Sequence, residues 1–166
     1  MRPSRAWWVV VGWVSVASGC SKSAPPAAPA VSLEQVCNGA DGSKVRLTGY
    51  VRYRRELLSF CSNYGGHKTC DLELSASSAP PPDFDILHPS KEPEAPSAKL
   101  SVPVGAQPGE MDELPDKFKA SDIKLHLPNG AAVSDGGKVT IDGALSVIAG
   151  STPKSCFVNV EWATPG

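Results

Sequence analysis

Hydrophobic and polar residues alternate with a period of two over residues 45–54. Val45, Leu47, Val51 and Tyr53 share one face, while Arg46, Thr48, Tyr50, Arg52 and Arg54 share the other. This spacing predicts a strand with one face on a core. The pattern returns late in the chain. Asp41-Gly42-Ser43-Lys44-Val45-Arg46-Leu47-Thr48-Gly49-Tyr50-Val51 aligns with Asp135-Gly136-Gly137-Lys138-Val139-Thr140-Ile141-Asp142-Gly143-Ala144-Leu145. In the second copy Val139, Ile141, Leu145 and Val147 point one way. Gly49 and Gly143 stand where the next inward side chain would fall. A glycine inside a strand marks a bulge, a sharp bend or a close backbone approach. Two long strands bent at such points can turn a corner and serve both walls of a small barrel. Two similar hairpin strands of a sandwich would carry the same repeat.

Further strands are predicted at Cys70–Leu74, at Ile123–Leu127 before the Pro128-Asn129-Gly130 turn, and at Cys156–Trp162. The last of these places Cys156, Val158, Val160 and Trp162 together. Lys99–Val104 reads as a further strand or an edge, because Pro103 removes a ladder donor. Helical signals are weak. Ser32 is placed to cap a short turn through Val36, and Met111, Leu114 and Phe118 have helical spacing that Pro115 interrupts. Sixteen prolines and fifteen glycines favour strands and loops over long helices.

Five main strands, bent first and fourth strands and a helical interruption before the fourth resemble the OB-fold, a five-stranded Greek-key barrel. The Lys-Val-x-Leu/Ile-x-Gly-x-Val/Leu signature is similar to one in bacterial OB-fold proteins, including exported ones, and implies no catalysis. The fold class expected is therefore all-β with minor α, covering residues 31–164. Residues 75–99 depart from a minimal OB domain. Pro80-Pro81-Pro82, Pro89, Pro93 and Pro96, with acids at 83, 85, 92 and 94, read as a mobile surface insertion.

The N-terminus carries an export pattern. Arg2 and Arg5 precede an uncharged run from Ala6 to Gly19. Its apolar part, as a helix of about 12 residues, reaches roughly 18 Å, well short of the ~30 Å bilayer core. Residues 1–19 thus read as a signal peptide rather than a membrane span. Val16-Ala17-Ser18-Gly19-Cys20 resembles the lipobox of bacterial lipoproteins, with Ala17 where that family most often has leucine. The resemblance implies cleavage before Cys20 and diacylglycerol and acyl (palmitate-type) attachment there, two chains being enough for stable anchoring. Ser21 after the cysteine, by the family's sorting rule, implies the outer membrane of the cell envelope. An ordinary secretory signal, with Cys20 one more thiol, is the alternative. Residues 20–30, rich in proline and alanine, read as a flexible tether.

Cys37, Cys61, Cys70 and Cys156 remain, and an even number in an exported chain argues for two disulfides. Of three pairings, Cys61–Cys70 around the Gly65-Gly66 loop is favoured, leaving Cys37–Cys156. Zinc held by Cys61, His67 and Cys70 is the rival; its spacing is looser than that of most zinc sites. No metal and no cofactor is expected.

The formal charge of −1 falls to about −3 once Arg2 and Arg5 are removed, so nothing pulls nucleic acid from a distance. OB-folds in general bind ligands across the second and third strands, framed here by loops at about 56–69 and 149–155. Tyr50, Arg52, Arg54 and Tyr64 make a candidate ligand face, with Arg55, Tyr53 and Phe60 nearby. The alternative is a solvated strand face whose arginines pair with Glu56 or Asp71. His67, His88 and His126 are scattered, and no nucleophile motif accompanies them. The expected function is a non-catalytic binding or scaffold module at the envelope, held to the membrane by its N-terminal lipid, with a protein or glycan partner. A nucleic-acid-binding domain and an unrecognised hydrolase are the alternatives.

Overall fold

The computed structural model describes residues 23–53, 61–64, 66–79, 95–151 and 154–166. The expected signal peptide and lipobox, Cys20, Arg54, residues 54–60 and the proline-rich residues 80–94 lie outside the described residues. Eight strands follow in order: β1 (Lys44–Arg52), β2 (Cys61–Tyr64), β3 (His67–Ser75), β4 (Ser97–Pro103), β5 (Leu125–His126), β6 (Ala132–Val133), β7 (Lys138–Ile148) and β8 (Ser155–Pro165). Among the described residues there is no α-helix, and no helix is long and apolar enough to cross a membrane. Two single 3-10 turns, Val36–Asn38 and Ala120–Asp122, complete the elements.

Five strands close a ring. β1 is bonded to β7 over Lys44–Tyr50 and to β3 over Tyr50–Arg52. β3 continues antiparallel to β4, and β4 runs parallel to β8 over Lys99–Ser101. The β7–β8 hairpin completes the circuit. This is the all-β, OB-like barrel that the bent repeat predicts. The hand-over at Tyr50 follows directly after Gly49, where a Cβ would stand 2.7 Å from the Ser75 carbonyl oxygen. Gly143 sits at a β-bulge, where Asp142 faces Trp162, Gly143 faces Val160, and Glu161 is left unopposed. Both glycines let a strand bend where a side chain would collide with the next strand.

Inward residues of all five strands form one core, including Leu47, Val51, Leu72, Leu100, Ile141 and Val158. Cys156, Val158, Val160 and Trp162 are all buried. Disulfides join Cys61 to Cys70 and Cys37 to Cys156. The first links two directly opposed residues of β2 and β3; the second ties the Val36–Asn38 turn to the start of β8.

Several elements differ from expectation. Of the two readings of Lys99–Val104 the further strand holds and the edge does not: β4 is bonded on both sides, and Pro103 is tolerated because β8 has already diverged there. Ile123–Leu127 is not a barrel strand. Its centre pairs with β6 in a separate hairpin, and Ile123, Leu125 and Leu127 are buried against the core. Met111–Phe118 forms no helix, since Pro115 biases Leu114 away from helical angles and Glu110–Asp112 bonds to residues 124–126 instead. Met111 is fully buried there. The insertion begins later and ends earlier than 75–99, because Ser75 and Ser97–Lys99 belong to strands. The end of the expected tether is pinned: Arg46 N–H donates to Pro29 O (2.8 Å) and Val31 N–H to Arg46 O (2.9 Å). That parallel bridge covers the part of β1 that β3 leaves open.

Candidate functional site

Strand alternation decides what the barrel shows to solvent. On β3, Cys70 and Leu72 turn inward, so His67, Thr69 and Asp71 face out. On β4, Ala98, Leu100 and Val102 are buried, and Lys99 and Ser101 face out. On β8, Phe157 and Asn159 lie half-buried between inward neighbours. The ring brings these outward positions side by side. Asp71 faces Ser101, and Ser101 lies beside Asn159. One row over, Glu73 faces Lys99, Lys99 lies beside Phe157, and Phe157 faces Ser146 of β7.

Except for the buried Glu73, they line a groove of about 770 Å³, with Ser62 of β2 and Ile148 of β7 at its margins. Its size falls within the range of small-ligand sites. Ile148, 49% exposed, is the exposed large hydrophobic residue among those described. Asn159 Nδ2 donates to Ser146 Oγ at 3.0 Å, which fixes the amide in the wall. The Cys61–Cys70 bond holds β2, and so Ser62, against β3.

The full charges lining the groove are one of each sign, Lys99 lying diagonal to Asp71. Asp71 is exposed as a residue, yet crowding by the groove raises its carboxyl pKa, against the pull of Lys99, which lowers it. Folding therefore holds this proton more tightly than the unfolded chain does. The group's contribution to stability is present at low pH and is lost as pH rises through the raised carboxylate range. Asp71→Asn should thus gain stability relative to the parent protein between pH 3 and pH 7. Urea midpoints at the two pH values check this, and a relative loss at pH 7 would contradict it.

Of the four residues expected on the ligand face, the two whose side chains are described, Tyr50 and Arg52, do not line the groove. Tyr50 lies at the β1 hand-over, opposite Lys138 and Ser75, away from the groove. Tyr64 pairs with His67 at the tip of the β2–β3 hairpin, and its side chain, like Arg54, is outside the described residues. Arg52 was expected on a solvated face and is 5% exposed. The reason is the turn at 135–137, which folds over the end of β1. Gly136 N–H donates to Val51 O, Val51 N–H to Gly137 O, and Tyr53 N–H to Asp135 Oδ1. Arg52 lies 3.8 Å from Asp135 Oδ2 and donates to Ser77 O at 3.4 Å, while its Nε is buried without a hydrogen-bond partner.

Arg52 is therefore a buried structural cation. Replacing it by methionine should change stability by less than about 1.5 kcal/mol, since apolar replacement of a buried ion is often neutral. Asp135→Ala strands the cation and the Tyr53 N–H, and should cost about 2–3 kcal/mol. Chemical denaturation of both variants measures the difference; a larger loss for Arg52→Met would contradict this reading.

Of the histidines, His67 lines the groove, His126 pairs with Asp112 at 2.8 Å, and His88 is outside the described residues. Cys61 and Cys70 are joined to each other, so the expected rival of zinc on Cys61, His67 and Cys70 loses its thiolates. Among the described residues no group of three His, Cys, Asp or Glu is placed to hold a metal ion. Register was what the sequence lacked: His67, Lys99, Phe157 and Asn159 come from three strands, and only their outward parity was readable. Compared with known proteins, the chain matches no family model, and no curated protein gives a significant match.

Proposed function

We propose that this chain is an exported lipoprotein, anchored through Cys20, whose barrel is a non-catalytic binding module of the cell envelope. The observation that carries the binding role is the groove across β3, β4 and β8. It lies on the face that OB-folds use for ligands and is flanked by the hairpin end at 149–151. Support for export comes from the lipobox-like Ala17-Ser18-Gly19-Cys20 and from two disulfides, which fit an oxidising compartment. The burial of Arg52 removes a cation on which the nucleic-acid reading relied.

Fractionation of a Gram-negative host expressing the full chain tests both halves. The parent protein should sediment with membranes and carry acyl mass on Cys20, while Cys20→Ala should be soluble and unmodified. The soluble Cys20→Ala protein should bind isolated envelope material, and adding Ser101→Trp, which fills the groove, should abolish that binding. Lys138→Ala, at an exposed site away from the groove, should leave it unchanged. Acylation that survives Cys20→Ala sinks the anchor. Envelope binding that survives Ser101→Trp sinks the groove.

A further inference from the structure

Resting on the groove as the binding site, we infer that its occupant is a neutral glycan segment, with one sugar ring stacked on Phe157. Three features of the site lead there. The groove lies on a sheet face whose ladders are already used, β3 being bonded to β4 and β4 to β8. Strand addition by a peptide needs an open edge, and the edge beside the groove is the four-residue β2 at its margin, so main-chain recognition is not on offer across its floor. Selectivity must come from side chains.

The lining combines apolar surface (Leu72, Leu100, Ile148 and Phe157) with neutral hydroxyls and an amide. Thr69, Ser101 and Ser146 each both donate and accept, and Asn159 presents both functions on one group. A ligand that carries hydroxyls around an apolar face meets both parts of that lining. The full charges, Lys99 and Asp71, offset one another, and Glu73 stands opposite Lys99. A polyphosphate needs an excess of cations along its track, which this face lacks.

Phe157 supplies the remaining element. It sits half-buried in the row between Lys99 and Ser146, with Ile148 continuing the apolar surface along β7. A sugar ring is amphipathic in the same way, with an apolar C–H face and a polar rim. An aromatic ring flanked by hydroxyl and amide groups fits both at once. The groove is open rather than enclosed, a shape that admits the middle of a chain as well as its end.

Amide-resolved NMR titration of the secreted Cys20→Ala chain tests the inference, with three neutral probes (chitotetraose, cellotetraose and maltotetraose) and a twelve-residue oligothymidylate. At least one tetrasaccharide should move the amide signals of Ser101, Phe157 and Asn159 in a saturable way. Raising salt from 50 to 500 mM should change the affinity less than twofold. Phe157→Ala should weaken binding at least tenfold and Phe157→Tyr should retain it, while the spectrum itself reports whether each variant is folded. Silence of the groove with all three sugars overturns the glycan assignment. If the oligothymidylate then moves the same signals, the groove remains the binding site and the ligand class alone is wrong. If no probe moves them and Ser101→Trp also leaves envelope binding intact, the underlying reading falls too.

Discussion

Gly143→Val should cost the barrel at least about 3 kcal/mol and leave little cooperatively folded protein at 37 °C. The first added carbon would stand 2.3 Å from the carbonyl oxygen of Asn159 and 2.7 Å from Val158 Cγ1. The nearest obstacle is backbone, so no side-chain rotation relieves it. Nor can β7 retreat, because Gly143 is paired with Val45 on its other side. Gly42→Ala makes a useful contrast. Its φ of +76° penalises any side chain, but nothing lies within 4 Å of the new carbon. That change should cost only about 1–2 kcal/mol. Urea unfolding followed by tryptophan fluorescence separates the two, and equal midpoints would show that the close approach at Gly143 is not real.

The second large effect concerns the longer disulfide. Cys37–Cys156 spans 119 residues, so opening it restores much chain entropy to the unfolded state. Loop-closure arithmetic gives about 4–5 kcal/mol for such a span, against about 2–3 kcal/mol for the sequence separation of 9 from Cys61 to Cys70. Double serine substitution of the first pair should therefore depress the urea midpoint more than that of the second. The second pair should instead act locally, loosening β2 and with it one margin of the groove. A Cys61→Ser/Cys70→Ser protein less stable than its counterpart would reverse the expected order.

Much of this architecture was legible in the chain. Alternation around Gly49 and Gly143 announced two bent strands, because a glycine replacing an inward side chain has few other uses in a strand. The number of disulfides followed from counting cysteines once Cys20 was set aside, and the favoured pairing from the short loop between Cys61 and Cys70. What escaped was anything decided by pairing rather than by local pattern. Lys99–Val104 could be read as an inner strand or an edge because Pro103 lacks a donor, and nothing local says that β8 parts from β4 before reaching it. Ile123–Leu127 alternates as well as any barrel strand, yet its apolar residues belong to a hairpin off the ring. Arg52 obeys the polar parity of β1 and is buried all the same, because a turn more than eighty residues away in sequence, centred on Gly136, folds over it. The candidate site was misplaced for the same reason. Sequence clustering drew attention to Arg52 and Arg54, while the groove is assembled from single outward residues on separate strands.

The closed ring depends on two seams, one where β1 leaves β7 and joins β3 and one where β4 meets β8, and the groove lies across the second. Backbone nuclear Overhauser effects across both are the most direct measurement. Tyr50 should show contacts to Lys138 and also to Ser75, with Val51 close to Leu74 and, across the parallel pair, Leu100 close to Val158. Contacts from β1 to β7 alone, with none to β3, would mean an open sheet in place of a closed ring, and absence of the Leu100–Val158 contact as well would mean two facing sheets and no groove.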